Sequence, residues 1–191
     1  MDNQGFKLFN LNDFGWVYWF SKNIIKVPSD LKKQKFFTWA GDFRWAELWN
    51  EAGYNPIPLA STDILSSLQT GLINTIPTMP IYALSQQSFG IANRMLNLKW
   101  GVVMAGIIID NKTWERIPKK FHRDMILVAE RILEENQNKN RESGEKAIKV
   151  MIDNGLKIYE PSVDEITIWE QEVNKFDILL KKELIPTETY N

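Results

Sequence analysis

Residues suited to covalent chemistry are scarce in this chain. It holds one histidine and no cysteine. Thiolate nucleophiles, disulfides and thiolate metal sites are excluded together. With a single imidazole, His122, a transition-metal centre has too few ligands. His122 stands in KKFHRD, among charges, and reads as a solvated helix residue. No G-x-S-x-G, P-loop or G-x-G-x-x-G pattern occurs, so no hydrolase elbow, phosphate cradle or dinucleotide fingerprint is present, and no cofactor is expected. What the chain offers instead is ring surface. The stretch KKQKFFTWAGDFRWAELW, Lys32 to Trp49, brings Phe36, Phe37 and Trp39 within four residues, just before a small turn and a helix. Strand alternation puts Phe37 and Trp39 on one face and Phe36 and Thr38 on the other. Either the rings pack beneath the following helix, or Phe37 and Trp39 line an apolar, ring-stacking pocket.

Charge narrows the partners. The formal net charge is −1, which supplies no electrostatic attraction for nucleic acid or an anionic membrane surface. The longest apolar run, GVVMAGIII from Gly101 to Ile109, is far short of the ~20 residues of a membrane-spanning helix and reads as a buried strand. The opening MDNQGFKLFNLND lacks the basic and apolar blocks of a signal peptide. Either the protein is cytoplasmic or its native beginning has been removed.

The elements that must position these rings follow from periodicity. Gly5 to Ser21 is aromatic and β-prone, one or two strands with a turn near Asn12-Asp13. KVPSDLKKQ is a proline turn and a short helical piece, and KFFTW a strand. Asp42 caps a helix whose stripe is Phe43, Ala46, Trp49 and Ala52, closed by Gly53. NPIPL is extended, and a second helix follows with Ile64, Leu65 and Leu68 on its stripe and Gly71 at its end. LINTIPTMP is extended, IYALSQQSFG helical to Gly90, and GVVMAGIIID a strand. One long helix spans 119–154, with a stripe through Phe121, Met125, Val128, Ile132 and Leu133 and a solvated polar middle around Gly144. GLKIYEP is a strand, and 162–180 a last helix with Val163, Ile166, Trp169, Val173 and Phe176 on one face. Strands alternating with helices indicate an α/β architecture with a mainly parallel sheet covered on both faces.

Four segments resemble, in order and at normal spacing, the solute-binding (DctP-type) subunit of TRAP transporters. VPSDLKKQKFFTW is similar to the family's TPEDLKGLKIRV turn and strand. AGYNPIPLASTDILSSLQTGLIN resembles its segment ending in ALQtGvvDg. IIIDNKTWERIPKKFH resembles the opening of its long helix, and DNGLKIYEPSVDEITIWEQ its terminal unit. Together they cover about Ser21 to Phe176. The resemblance is to the latter part of such a protein only, without most of the first lobe.

The resemblance implies a periplasmic-binding-protein-like (type II-like) fold of two lobes closing over a solute by hinge motion. On this reading 1–27 form the crossing strand from the missing first lobe, and 28–101 the second lobe. The segment 102–191 forms the returning strand, the long spine helix and the C-terminal helices. It also implies a periplasmic location and a membrane permease as partner. In most members an Arg on the KIRV strand pairs with a substrate carboxylate, a match of planar donors to planar acceptors. Here Phe37 stands at that Arg. A second family Arg falls near Trp16 to Trp19, where WVYW stands. The ligand-contacting residues implied are therefore Phe37, Trp39, Trp16 and Trp19, with Thr78, Met79 and Pro80 from NTIPTMPIY; Thr62 and Asp63 read as a cap. The expected solute is small and uncharged or largely apolar. The competing reading is a truncated receptor that serves as an interaction or dimerisation protein. An enzyme ranks third, since no nucleophile–base constellation is visible. A chain lacking a lobe is expected to expose the aromatic face of FGWVYWF and FFTW, and to self-associate through it or bind an N-terminal fragment.

Overall fold

A computed structural model describes residues 4–183. Its element order is β1 Phe6–Ser21, α1 Pro28–Leu31, β2 Lys35–Trp39, α2 Phe43–Glu51, β3 Asn55–Leu59, α3 Ile64–Thr70, β4 Thr75–Thr78, α4 Pro80–Ser85, β5 Arg94–Asp110, α5 Asn111–Arg116, α6 His122–Asp153, β6 Lys157–Tyr159 and α7 Val163–Glu183. The local signals explain most boundaries. The Asp42 carboxylate accepts from the Trp45 amide at 3.3 Å and caps α2. Gly71 takes a left-handed φ of 80° to stop α3, a conformation that costs glycine little.

The six strands form one sheet in the order β3-β2-β4-β1-β5-β6. β2 pairs in parallel with β3 and β4, and β5 with β6, so parallel neighbours outnumber antiparallel ones. The longest pairing is nevertheless antiparallel. β1 and β5 run together from Ser21↔Arg94 to Phe6↔Asp110. Beyond Val17 and Gly101 they continue as a two-stranded ribbon that has left the rest of the sheet: β4 reaches β1 only at Tyr18–Ser21, and β6 reaches β5 only at Arg94–Leu96.

Helices cover both faces of the sheet. On one, Tyr18, Phe20, Phe37, Ile76 and Met95 pack against Ile64 and Leu68 of α3, Ala83 of α4 and Met151 of α6. On the other lies a ring cluster of Trp19, Phe36, Trp49, Tyr54, Trp169 and Phe176. Its rings meet edge-on or tilted, as quadrupoles prefer: Trp19 to Phe36 at 5.3 Å, Phe36 to Trp49 at 5.1 Å, Trp49 to Phe176 at 4.5 Å. α7 is pinned there by Glu172, which accepts from the Tyr54 hydroxyl at 2.9 Å and pairs with Lys32 at 2.8 Å and Lys175 at 3.2 Å.

Several expectations need correction. No turn interrupts β1 at Asn12-Asp13; the polar pair sits inside a continuous strand whose register shifts at Asp13/Gly15. The strand Gly101–Ile109 is not buried, because only one side of the ribbon meets a helix; Val102, Val103, Met104 and Ile108 are exposed. Phe43, Phe121, Val128, Ile132, Val163 and Val173 face solvent. The true seams are Ala46, Leu48 and Trp49 on α2, and Ala129, Leu133, Ala147 and Met151 on α6. Gln87, at a left-handed φ of 55°, breaks the stretch expected to be helical to Gly90. His122 is half-buried rather than solvated. It stacks on Trp114 at 3.8 Å, and its Nε2 lies 2.9 Å from the Ile117 carbonyl. The expected exposed aromatic face is also absent. Tyr18, Trp19, Phe20, Phe36 and Phe37 are covered by the chain's own helices.

Candidate functional site

Parallel pairing brings the carboxyl ends of β2, β3 and β4 to one rim of the sheet, and antiparallel β1 runs back from it. In register, Thr78 faces Tyr18, so Met79 and Pro80 lie beside Trp16. This rim is where ligands bind open α/β sheets. Irregular pairing shapes it. Between Val17↔Gly101 and Trp19↔Leu96, the single residue Tyr18 faces four residues of β5, Asn97 to Trp100, which bow outward and carry Lys99 to the rim. On the other side, Gly15 lets Met79 approach: a Cβ there would stand 3.1 Å from the Met79 sulfur, and its φ of 146° disfavours any side chain.

A cleft of about 230 Å³ opens between β1, the start of α4 and the middle of α6. Trp16, Met79, Pro80 and Ile81 give it apolar walls; Lys99, Asn140, Arg141 and Glu145 supply the polar groups. Two cations lie over the Trp16 ring, with Lys99 Nζ 5.0 Å and Arg141 Cζ 5.9 Å from its centre. Arg141 is already paired: its Nη2 donates to Asp13 Oδ2 at 2.7 Å, and Gln137 Nε2 donates to the same oxygen. Asp13 Oδ1 and Asn140 Nδ2 are buried with no partner in the protein, an acceptor and a donor one helical step from that ion pair. Burial, then the nearby Glu145 charge, push the Tyr18 phenol above its usual range, so it stays protonated in the cleft wall.

The sequence-derived contacts separate here. Trp16, Met79 and Pro80 line the cleft. Thr78 is half-buried in β4 behind it. Trp39 lies at the carboxyl end of β2, 59% exposed, with its ring edge-on to Phe37 at 5.1 Å. Phe37 itself is only 4% exposed and belongs to the core beneath the rim. Trp19 does not reach the rim. It is 1% exposed among the rings of the opposite face, because three steps along the strand from Trp16 put it on the other side. Sequence reasoning missed Gly15, Lys99, Asn140, Arg141 and Glu145. The signal for the α6 residues was present: Gln137, Asn140, Arg141, Gly144 and Ile148 recur at helical spacing, so the polar middle is a second, polar seam facing β1 rather than a solvated span.

The model of bacterial extracellular solute-binding protein family 7, DctP, matches residues 1–177. The chain belongs to this family. Its fold agrees. A TRAP periplasmic solute-binding protein from Shewanella oneidensis, with bound succinate, superposes with a TM-score of 0.85 at 17% identity over 97% of this chain and 61% of that one. The periplasmic ectoine-binding protein of Halomonas elongata gives 0.83 at 14% over 96% and 60%. A TRAP protein of Pseudomonas aeruginosa PAO1, with bound L-malate, gives 0.84 at 13% over 94% and 62%. The DctP chain thus spans about three-fifths of these solved relatives' length. No curated protein matches the sequence significantly. The family is one of binding proteins rather than enzymes. No described helix is long and apolar enough to cross a membrane.

Proposed function

We propose that this DctP chain forms the second lobe, crossing strands and spine of a periplasmic TRAP-type receptor. It captures a small uncharged or largely apolar solute at the rim and delivers it to a membrane permease. Residues 28–101 supply the lobe, 1–27 the incoming strand, and 102–191 the returning strand, spine helix and C-terminal helix, with 1–3 and 184–191 lying outside the described residues. Trp16, Met79 and Pro80 make the apolar wall, and Trp39 an outer ring. Thr78 and Phe37 act by supporting Met79 and Trp39 from behind.

The observation that carries the uncharged class is the pairing of Arg141 with Asp13. A free guanidinium in the cleft would favour a carboxylate. Here a carboxylate of the protein already holds it, and the other two charged residues of the lining, Lys99 and Glu145, are of opposite sign. Phe37, where the family's clamp Arg is expected, is buried and offers no cation. A hydroxyl or amide on the solute would meet Asn140, the cleft residue whose Nδ2 has no partner in the protein.

Paired probes test this. D-Glucuronamide and D-glucuronate differ by one charge at nearly constant shape. Titrated against tryptophan emission, the amide is expected to act at lower concentration, and Trp16→Phe to remove most of its response. A stronger response to the acid would overturn the assignment.

A further inference from the structure

We propose that Gly144 is a specificity-determining position of the cleft: with no side chain there, the turn that carries Asn140 stays open to a carbonyl or hydroxyl oxygen of the solute. The inference rests on the reading of this cleft as the solute site. Two independent observations carry it.

Nothing in the chain itself asks for glycine at 144. The residue lies inside α6 with an ordinary right-handed backbone, where glycine is the least favourable residue after proline. Other glycines have a steric reason. A Cβ at Gly15 would stand 3.1 Å from the Met79 sulfur, and one at Gly106 3.1 Å from the Asn10 carbonyl oxygen. At Gly144 a Cβ would meet no atom within 4 Å. Gly144 lines the cleft, and the space before it is shared with Trp16, Met79 and Pro80 of the same chain. A glycine that weakens its helix and relieves no clash within the protein has its reason in what enters the cleft.

The second observation lies one helical turn back. Residues 140 and 144 share a face of α6. A helical side chain leans toward the N-terminus and covers the turn before its own Cα, so a side chain at 144 would lie over Asn140. Asn140 lines the same cleft, and its Nδ2 has no partner in the protein. An unmatched buried N–H is costly, and the missing side chain at 144 leaves the cleft side of that amide clear. The class of solute follows. It presents an acceptor oxygen of an amide, ketone or hydroxyl group to Asn140, and its carbon skeleton lies against Gly144 where a side chain would otherwise stand.

The test uses the chain with D-glucuronamide as probe. It follows the midpoint of the tryptophan-emission titration and the thermal melt. Gly144→Ala is expected to raise Tm by about 2–4 °C, since alanine favours the helix, and yet to weaken the response to the amide. Gly144→Leu should shift the midpoint about tenfold, the scale of one lost hydrogen bond. Asn140→Ala should shift it as much, and the double variant no further than either alone, because both act on one contact. A lower Tm in Gly144→Ala would show that the fold itself needs glycine and would overturn the proposal. A wild-type midpoint in Gly144→Leu, or losses that add in the double variant, would do the same. These outcomes leave the reading of the cleft standing. A wild-type chain that gives no response to the amide removes that reading, and this proposal with it.

Discussion

Asp13 on β1 and Arg141 on α6, 128 residues apart, meet at 2.7 Å beside the cleft. The contact closes a polar seam: Gln137 shares the same carboxylate oxygen, and Asn140 lies between the two on the helix. It fixes α6 to β1 at the point where β1 shifts register. It also occupies the cleft's guanidinium.

Removing the carboxylate should therefore loosen the seam. Asp13→Ala leaves Gln137 and Arg141 without their acceptor and is expected to cost roughly 1–3 kcal/mol. For a chain of this size that is about 2–4 °C in Tm per kcal/mol. A thermal melt reads it directly. An unchanged Tm would mean the pair is a surface contact with little weight.

Acid should release α7. Burial alone would raise the Glu172 carboxyl, but hydrogen bonds from Lys32, Tyr54 and Lys175 and the Lys32 charge outweigh it and hold it below its ordinary value. The folded state then binds fewer protons than the unfolded one in that window. The contribution is complete above the unfolded carboxylate range, near ~4.3, and is lost as pH falls through the lower folded value. Urea midpoints measured downward from pH 7 should fall below about pH 4.5, and more shallowly in Glu172→Gln. Equal slopes in the two proteins would remove Glu172 from the acid response.

Trp39 should be the most accessible of the rim tryptophans. Trp39→Phe is expected to remove red-edge emission and lower quenching by acrylamide, since Trp19, Trp49 and Trp169 are buried. Unchanged quenching would place Trp39 against protein rather than solvent.

Much of the fold was legible because its punctuation is local. Asp42, Gly53 and Gly71 each act within a few residues and lie where the sequence puts them. The order of strands and helices and the family resemblance follow from the same signals. The site was legible only in part. Trp16, Met79 and Pro80 share a rim because of strand register, which the sequence does not display. Trp19 was misplaced because the resemblance was carried over to all of WVYW, whereas alternation puts Trp16, Tyr18 and Phe20 on one face and Trp19 on the other. The α6 contribution was overlooked because a polar run is normally solvated. Only the meeting with Asp13, far away in sequence, turns it inward. The exposure of Gly101–Ile109 was equally hidden, since an apolar run carries no mark of which side remains uncovered.

The central claim is that the cleft's guanidinium is already held by Asp13 and so does not clamp a carboxylate, and calorimetry tests it most directly. Succinate, L-malate and D-glucuronate are titrated into the purified chain, and into Asp13→Asn, which keeps the shape of the seam but frees the Arg141 charge. No saturable heat in the micromolar range is expected for the wild type, and weak binding should emerge in Asp13→Asn. Micromolar binding of any of these acids by the wild-type chain would contradict the account.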